Sequence, residues 1–111
     1  MTKKPLWLRK GLAKVTPRRK LHVVESDSLP ERLPASDLVL AREEGEDWCV
    51  GFHCPCGCGR RLELMLLKTV RPHWKLTTDK RRRISLYPSV WVAVGCRSHF
   101  WLRQGKIVWC E

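Results

Sequence analysis

The sequence predicts a small, mostly β fold: an antiparallel sheet with two ligand-bearing turns and a C-terminal hairpin. Short runs of alternating apolar and polar residues are separated by turn-forming residues, which is typical of strands. Gln-Gly lies between two such runs in residues 100–109, and cysteines are concentrated in two turns. At 111 residues the chain forms one domain at most.

Charge and proline content divide the chain into three segments. Residues 1–20 contain eight Lys/Arg and no acid, and we expect a basic N-terminal tail. Residues 21–36 include the stretch "SDSLPERLPAS", and we expect an acidic, proline-containing linker there. The remaining residues, 37–111, are expected to form the β domain, and they contribute to a net charge of +11 for the whole chain.

Strand-like segments follow one another through this domain. We predict strands at 37–41, 48–53, 73–78 and 83–90, while 60–67 fits either a strand or a helix. A two-residue turn at Gln104-Gly105 predicts the hairpin. Its register pairs Arg103 with Lys106, Leu102 with Ile107, Trp101 with Val108, and Phe100 with Trp109. Alternation places four tryptophans in the core, namely Trp48, Trp74, Trp91 and Trp109.

The cysteine-rich stretches "FHCPCGCGR" (52–60) and "CRSH" (96–99) predict a zinc site. Two turns that each offer ligands can close around one tetrahedral ion, as in zinc-ribbon-like modules. We expect Cys96 and His99 as ligands, completed by two of Cys54, Cys56 and Cys58, with a preference for Cys54 and Cys58. Gly57 and Gly59 are expected at positive φ in the knuckle. A disulfide pair and a catalytic thiol are the alternatives.

A zinc site with four protein ligands has no open position for water, which favours a structural role. Glu63 is the only carboxylate between Asp47 and Asp79, so no pair of carboxylates accompanies the cysteines. We therefore expect a zinc-stabilised binding module rather than an enzyme, with no small-molecule substrate. The weaker alternative is a redox role for the extra thiol.

The basic charge predicts an anionic partner, either nucleic acid or an acidic protein surface. The alternative is that these charges only keep the chain in solution. Candidate nucleic-acid contacts are Arg60, Arg61, Lys80, Arg81, Arg82, Arg83, Trp101, Arg103 and Lys106. No apolar run is long enough to span a membrane, and no secretory signal is evident, so we expect a cytoplasmic protein without membrane contact.

Four motifs occur in order along the chain: "CPCGCG" (54–59), "WKLTTD" (74–79), "ISLYPSV" (84–90) and "CRSHFWLRQGKIVW" (96–109). This ordered set resembles a bacterial family known as domain of unknown function 6527, over roughly residues 37 to 110. Some members of that family lie in gene clusters for ubiquitin-like proteins and their activating and conjugating enzymes. The resemblance thus implies an alternative function, a protein-interaction accessory of a bacterial ubiquitin-like conjugation system.

Overall fold

The structure, a computed structural model, describes residues 18–110, and within this range it contains nine strands and no helix. Most of the predicted basic tail lies outside the described residues. The strands are β1 (Leu21–Glu25), β2 (Leu38–Glu43), β3 (Glu46–His53), β4 (Arg61–Met65), β5 (Lys75–Thr78), β6 (Ile84–Tyr87), β7 (Val90–Trp91), β8 (His99–Arg103) and β9 (Lys106–Trp109). The mostly β prediction is therefore confirmed, and the ambiguous segment 60–67 contains a strand.

Three small sheets make up the fold, with strand orders β1-β2-β3-β4, β5-β6 and β7-β8-β9. Every pairing is antiparallel except that of β1 with β2, which is parallel. Strands β2 and β3 are joined by a tight turn at Glu44-Gly45, where both residues have positive φ. Gly45 adopts its positive φ at no steric cost, whereas Glu44 adopts the same region with a Cβ atom.

Strand β1 lies in the segment that was expected to be a linker. Its residues pair with β2 in the register Leu21↔Leu38 to Glu25↔Arg42. The strand is mostly exposed, so its sequence "LHVVE" has little of the alternation that reveals a half-buried strand. Parallel pairing across the loop that follows is a long-range contact, and no local turn motif predicts it.

The C-terminal hairpin has the predicted register, from Arg103↔Lys106 to Phe100↔Trp109. Phe100 and Leu102 are fully buried on its inner face. Phe100 meets Phe52 of β3 edge to face, with ring centroids 6.2 Å apart. The hairpin thereby closes one core over the four-stranded sheet. That core also contains Leu38, Leu40, Val50, Leu62, Leu64, Ile84, Leu86 and Val90.

The expectation that four tryptophans fill the core was wrong for two of them. Trp91 is 67% exposed and Trp109 is 50% exposed, whereas Trp48 and Trp74 are half-buried. In β7 the inward position belongs to Val90, so the alternation of the strand turns Trp91 outward. Trp109 is directly paired with the buried Phe100 but lies at the end of its strand, where little covers it.

Across residues 18–110, the structure has no helix with the length and apolar character needed to cross a membrane.

Candidate active site and metal centre

Four cysteines, Cys54, Cys56, Cys58 and Cys96, bring their sulfur atoms within 4.8 Å of one another. The Sγ of Cys54 lies 3.4 Å from that of Cys56 and 3.6 Å from that of Cys96. Metal–thiolate bonds of about 2.3 Å in a tetrahedron place the sulfurs roughly 3.8 Å apart. The four sulfurs can therefore hold a metal ion, and the molecule is a small zinc-ribbon-like fold.

Two turns build this cluster. In the first turn, which follows β3, the N–H of Gly57 donates to the Cys54 carbonyl at 3.2 Å, and the N–H of Cys54 donates to the Arg60 carbonyl at 2.8 Å. Gly57 and Gly59 have φ of 87° and 82°, which confirms the predicted knuckle conformation. The second turn, between β7 and β8, is closed by the N–H of Val92 donating to the Ser98 carbonyl at 2.8 Å.

The thiols of the cluster differ in their ease of ionisation. Hydrogen bonding by the Ser98 side chain, followed by a backbone hydrogen bond from Ser98, lowers the pKa of Cys96 to about 6. Burial raises the pKa of Cys54 to about 12, because a lone buried thiolate would lose its hydration. A cation among the sulfurs would supply the opposite charge that Cys54 lacks. The donor set therefore fits a thiophilic metal ion.

Ser98 is the hydroxyl that supports the cluster. It is 7% exposed, and its Oγ lies 3.2 Å from the Cys96 sulfur and 3.5 Å from the Cys54 sulfur. Hydrogen bonds of this kind orient thiolate ligands and stabilise their charge. The sequence pattern gave no sign of this role, because a serine between two expected ligands is not distinctive.

The cluster contains all three of the closely spaced cysteines together with Cys96, whereas two of these three were expected beside Cys96 and His99. His99, expected as a ligand, has its Nε2 at 2.9 Å from the Oγ of Ser89. The backbone accounts for this placement. Cys96 lies in the turn, whereas His99 is the first residue of β8 and is directly paired with Trp91 of β7.

Ser89 and His99 form a serine–histidine pair that the sequence analysis did not anticipate. When the ring carries its proton on Nδ1, the Ser89 hydroxyl donates to Nε2. Trp74 Nε1 donates to the Ser89 carbonyl at 3.3 Å, and Cys110 N–H donates to the His99 carbonyl at 2.8 Å. These hydrogen bonds fix the backbone position of both Ser89 and His99. No carboxylate among residues 18–110 hydrogen-bonds to the His99 ring, so within this range the pair is a dyad. The two residues belong to separate motifs, and the C-x-x-H spacing pointed His99 toward the metal instead.

The nine residues proposed to contact nucleic acid fall in three structural settings. Arg81, Arg82 and Arg83 line a cleft of about 650 Å³ together with Arg18, Arg19 and Lys20, while Lys80 is exposed in the adjoining turn. Arg83 is held there by Asp79, whose Oδ2 accepts from the Arg83 Nε at 2.6 Å.

The other candidates lie elsewhere. Arg60 donates to the Val94 carbonyl at 2.7 Å, and Arg61 donates to the Glu63 carboxylate at 3.2 Å within β4. On the hairpin, the guanidinium of Arg103 lies 4.6 Å from the centroid of the Trp101 ring, and Lys106 is the residue paired with Arg103. The structure therefore brings the three arginines at 81–83 together in one cleft. In contrast, the guanidinium groups of Arg60 and Arg61 bond other groups of the same chain.

Comparison with known proteins identifies the family. No curated protein and no solved structure matches the chain. A family model described as bacterial ubiquitination-like system serine protease (BubE) matches residues 25–110. The assignment to domain of unknown function 6527 was therefore wrong, because the family that matches carries a different name. The expected link to a bacterial ubiquitin-like system agrees with this description. Since the match covers well over half of the 111 residues, the chain belongs to the BubE family.

Proposed function

We propose that the protein is a serine protease of a bacterial ubiquitination-like system, with Ser89 as the nucleophile and His99 as the general base. The observation that carries this proposal is the 2.9 Å distance between Ser89 Oγ and His99 Nε2. A serine hydroxyl is a weak nucleophile until a base within hydrogen-bond reach takes its proton. The family description supports the same chemistry. The proposal replaces the expectation of a purely binding role.

In the proposed reaction, the Ser89 Oγ attacks the carbonyl carbon of an amide bond in a protein substrate while His99 Nε2 takes the hydroxyl proton. The C–N bond then breaks, and His99 returns the proton to the leaving amine. Water, deprotonated by the same imidazole, attacks the resulting ester and releases the acid and the free Ser89 hydroxyl. The imidazolium formed in this last step returns its proton to Ser89 Oγ, which restores the hydroxyl and the neutral imidazole.

We propose Zn²⁺ as the metal of the four-cysteine cluster, bound by Cys54, Cys56, Cys58 and Cys96. Four thiolates in a tetrahedral arrangement are typical of structural zinc. Such an ion contributes folding free energy, because the separate turns do not form the site in the unfolded chain. Cys96 lies three residues before His99, so the metal centre would hold the start of β8 and thereby position the base.

All six cysteines are free thiols in the structure. Free thiols persist in reducing compartments, whereas secreted proteins usually pair them. We therefore propose that the protein acts in the cytoplasm, where the four ligands stay reduced and available to zinc.

Covalent labelling tests the proposed nucleophile. A fluorophosphonate probe, which reacts with activated serines, is expected to add once per chain, and peptide mass mapping should place it on Ser89. The Ser28→Ala variant should label at the native rate, because Ser28 is an exposed serine that bonds only Ser26. Labelling at Ser98, or at no serine, would contradict the proposed dyad.

The basic cleft supports a second proposal, that the protein also binds an anionic partner, either nucleic acid or an acidic protein surface. Six Lys/Arg side chains line this cleft without a carboxylate among its lining residues. Converging cations raise the local concentration of anionic partners and bind them in a salt-dependent way. No aromatic side chain lines the cleft, so base stacking is not available inside it.

The binding of labelled single-stranded DNA and of labelled poly-glutamate should be measured at several salt concentrations. We expect the dissociation constant to rise steeply with salt, and the double variant Lys20→Glu, Arg81→Glu to weaken binding by at least about tenfold. The matched control is Lys68→Glu, Lys75→Glu, which makes the same charge change at exposed positions outside the cleft. A flat salt response, or equal losses in both variants, would reject this proposal. The preferred probe would separate the two partner classes.

A further inference from the structure

The outer face of the three-stranded sheet carries both the Ser89–His99 pair and a set of aromatic side chains. Directly paired residues of antiparallel strands share a face. His99 is paired with Trp91, and Trp101 with Val108, so these four residues lie on the face opposite the buried Val90, Phe100 and Leu102. The catalytic pair thus opens onto a surface and does not face the core.

Exposed apolar side chains make up much of this face, and Arg103 and Lys106 lie on it beside the hairpin turn. Tyr87 and Trp91 are each 67% exposed and Val108 is 42% exposed. The rings of Tyr87 and Trp101 are tilted against each other with centroids 6.0 Å apart. Contiguous exposed apolar residues on a protein surface mark binding sites more often than isolated ones do.

The aromatic residues flank the proposed nucleophile on both sides. Tyr87 and Trp91 lie two residues before and two residues after Ser89, and the Trp91 ring lies 6.2 Å from the His99 ring. A chain whose carbonyl carbon reaches Ser89 Oγ would therefore come close to the Trp91 ring. The nearness of the Trp91 ring to the serine–histidine pair is the reason for placing a substrate on this surface.

The edge of β7 indicates the conformation of that substrate. Among the described strands, β7 is paired with β8 alone, so its other edge is open. A groove of about 310 Å³ runs along it, with Val90 to Val94 on one side and β4 residues on the other. An open strand edge beside a groove can accept an extended chain through main-chain hydrogen bonds, while pockets select side chains.

We propose that this face, formed by Tyr87, Trp91, Trp101 and the groove along β7, binds an extended segment of a protein substrate with apolar side chains on both sides of the bond attacked. The inference rests on the proposed function, since it takes Ser89 as the nucleophile. It adds the class of substrate: an unstructured, apolar stretch such as a protein terminus or linker, and not a folded surface.

Peptide binding tests the docking face without any turnover. Two fluorescein-labelled decapeptides, one alternating Leu and Ser and one alternating Gly and Ser, are titrated with the Ser89→Ala variant by fluorescence polarisation. Burial of one or two leucines should make the Leu peptide bind about tenfold tighter or more. Trp91→Ala in the same background should remove this preference. Trp109→Ala is the matched control, because it removes a half-exposed tryptophan from the opposite face of the hairpin.

A second readout uses the native chain and distinguishes the two proposals. Trp91→Ala should slow labelling of Ser89 by a diphenyl phosphonate that carries a Leu-containing peptide far more than it slows labelling by the small fluorophosphonate, whereas Trp109→Ala should affect the two probes equally. Equal affinity of the two peptides, or equal losses in the Trp91 and Trp109 variants, would overturn the docking proposal and leave the catalytic one standing. Trp91-dependent binding without labelling of Ser89 would reject the catalytic proposal and retain the docking face. Melting temperatures of the variants establish that each is folded.

Discussion

Hydrolysis by the Ser89→Ala variant is expected to fall by on the order of 10⁴-fold relative to the native protein, with the fold unchanged. The reason is that alanine removes the Oγ that forms the acyl bond, and binding alone supplies only a small residual rate. The Ser89 side chain is half-buried and bonds only the His99 imidazole, so little stability depends on it. The measurement is the rate of p-nitrophenyl acetate hydrolysis, together with the melting temperature.

Two further variants give this prediction its controls. His99→Gln keeps a polar side chain of similar reach but removes the base, and it should lower the rate by a similar factor, because nucleophile and base act as a unit. Ser28→Ala changes an exposed serine that bonds only its neighbour Ser26, and it should leave the rate unchanged. A Ser89→Ala protein that is folded and still hydrolyses the ester at the native rate would exclude Ser89 as the nucleophile.

Replacement of Cys96 by serine is expected to abolish stoichiometric metal binding and to unfold the domain. Structural zinc contributes about 10–16 kcal/mol to the folding of small modules, which is comparable to or larger than the total stability of a typical domain, about 5–15 kcal/mol. Loss of one thiolate therefore removes most of the free energy that holds the turns at Cys54 and Cys96 together. Native mass spectrometry should show one metal ion per native chain and none in the variant, with loss of cooperative thermal unfolding.

Cys110→Ser is the matched control for this prediction, because Cys110 is a partly buried free thiol outside the cluster. It should retain one metal ion and a nearly native melting temperature. His99→Gln should also retain its metal while losing activity. This result would show that His99 acts as a general base and not as a metal ligand. If His99→Gln lost its metal as Cys96→Ser does, His99 would be a ligand as the sequence suggested. A Cys96→Ser protein with native metal content and melting temperature would contradict the structural role of the cluster.

The hairpin 100–109 shows which structural features can be predicted from neighbouring residues alone. Its register followed from Gln104-Gly105 and from the alternation of the flanking residues, because a two-residue turn leaves only one pairing. The positive φ of Gly57 and Gly59 was predictable for a similar reason, since a tight knuckle around closely spaced cysteines needs residues without a Cβ. These are contacts between residues a few positions apart, and their geometry is encoded in the residues themselves.

The arrangement of the candidate site depends on contacts between residues that are far apart in the sequence. Whether His99 faces the cysteines or Ser89 is decided by the start of β8 three residues after Cys96 and by the pairing of β8 with β7, neither of which the C-x-x-H spacing specifies. Strand β1 was missed because its partner lies beyond a loop and its exposed residues carry no alternation. The chain alone was thus sufficient to predict the β class, the hairpin and a cysteine cluster that can hold a metal ion. Packing between strands distant in sequence determines which four cysteines cluster, and it also produces the Ser89–His99 pair and the aromatic face around it. Many strand pairings satisfy the same local pattern, and the shared core selects one.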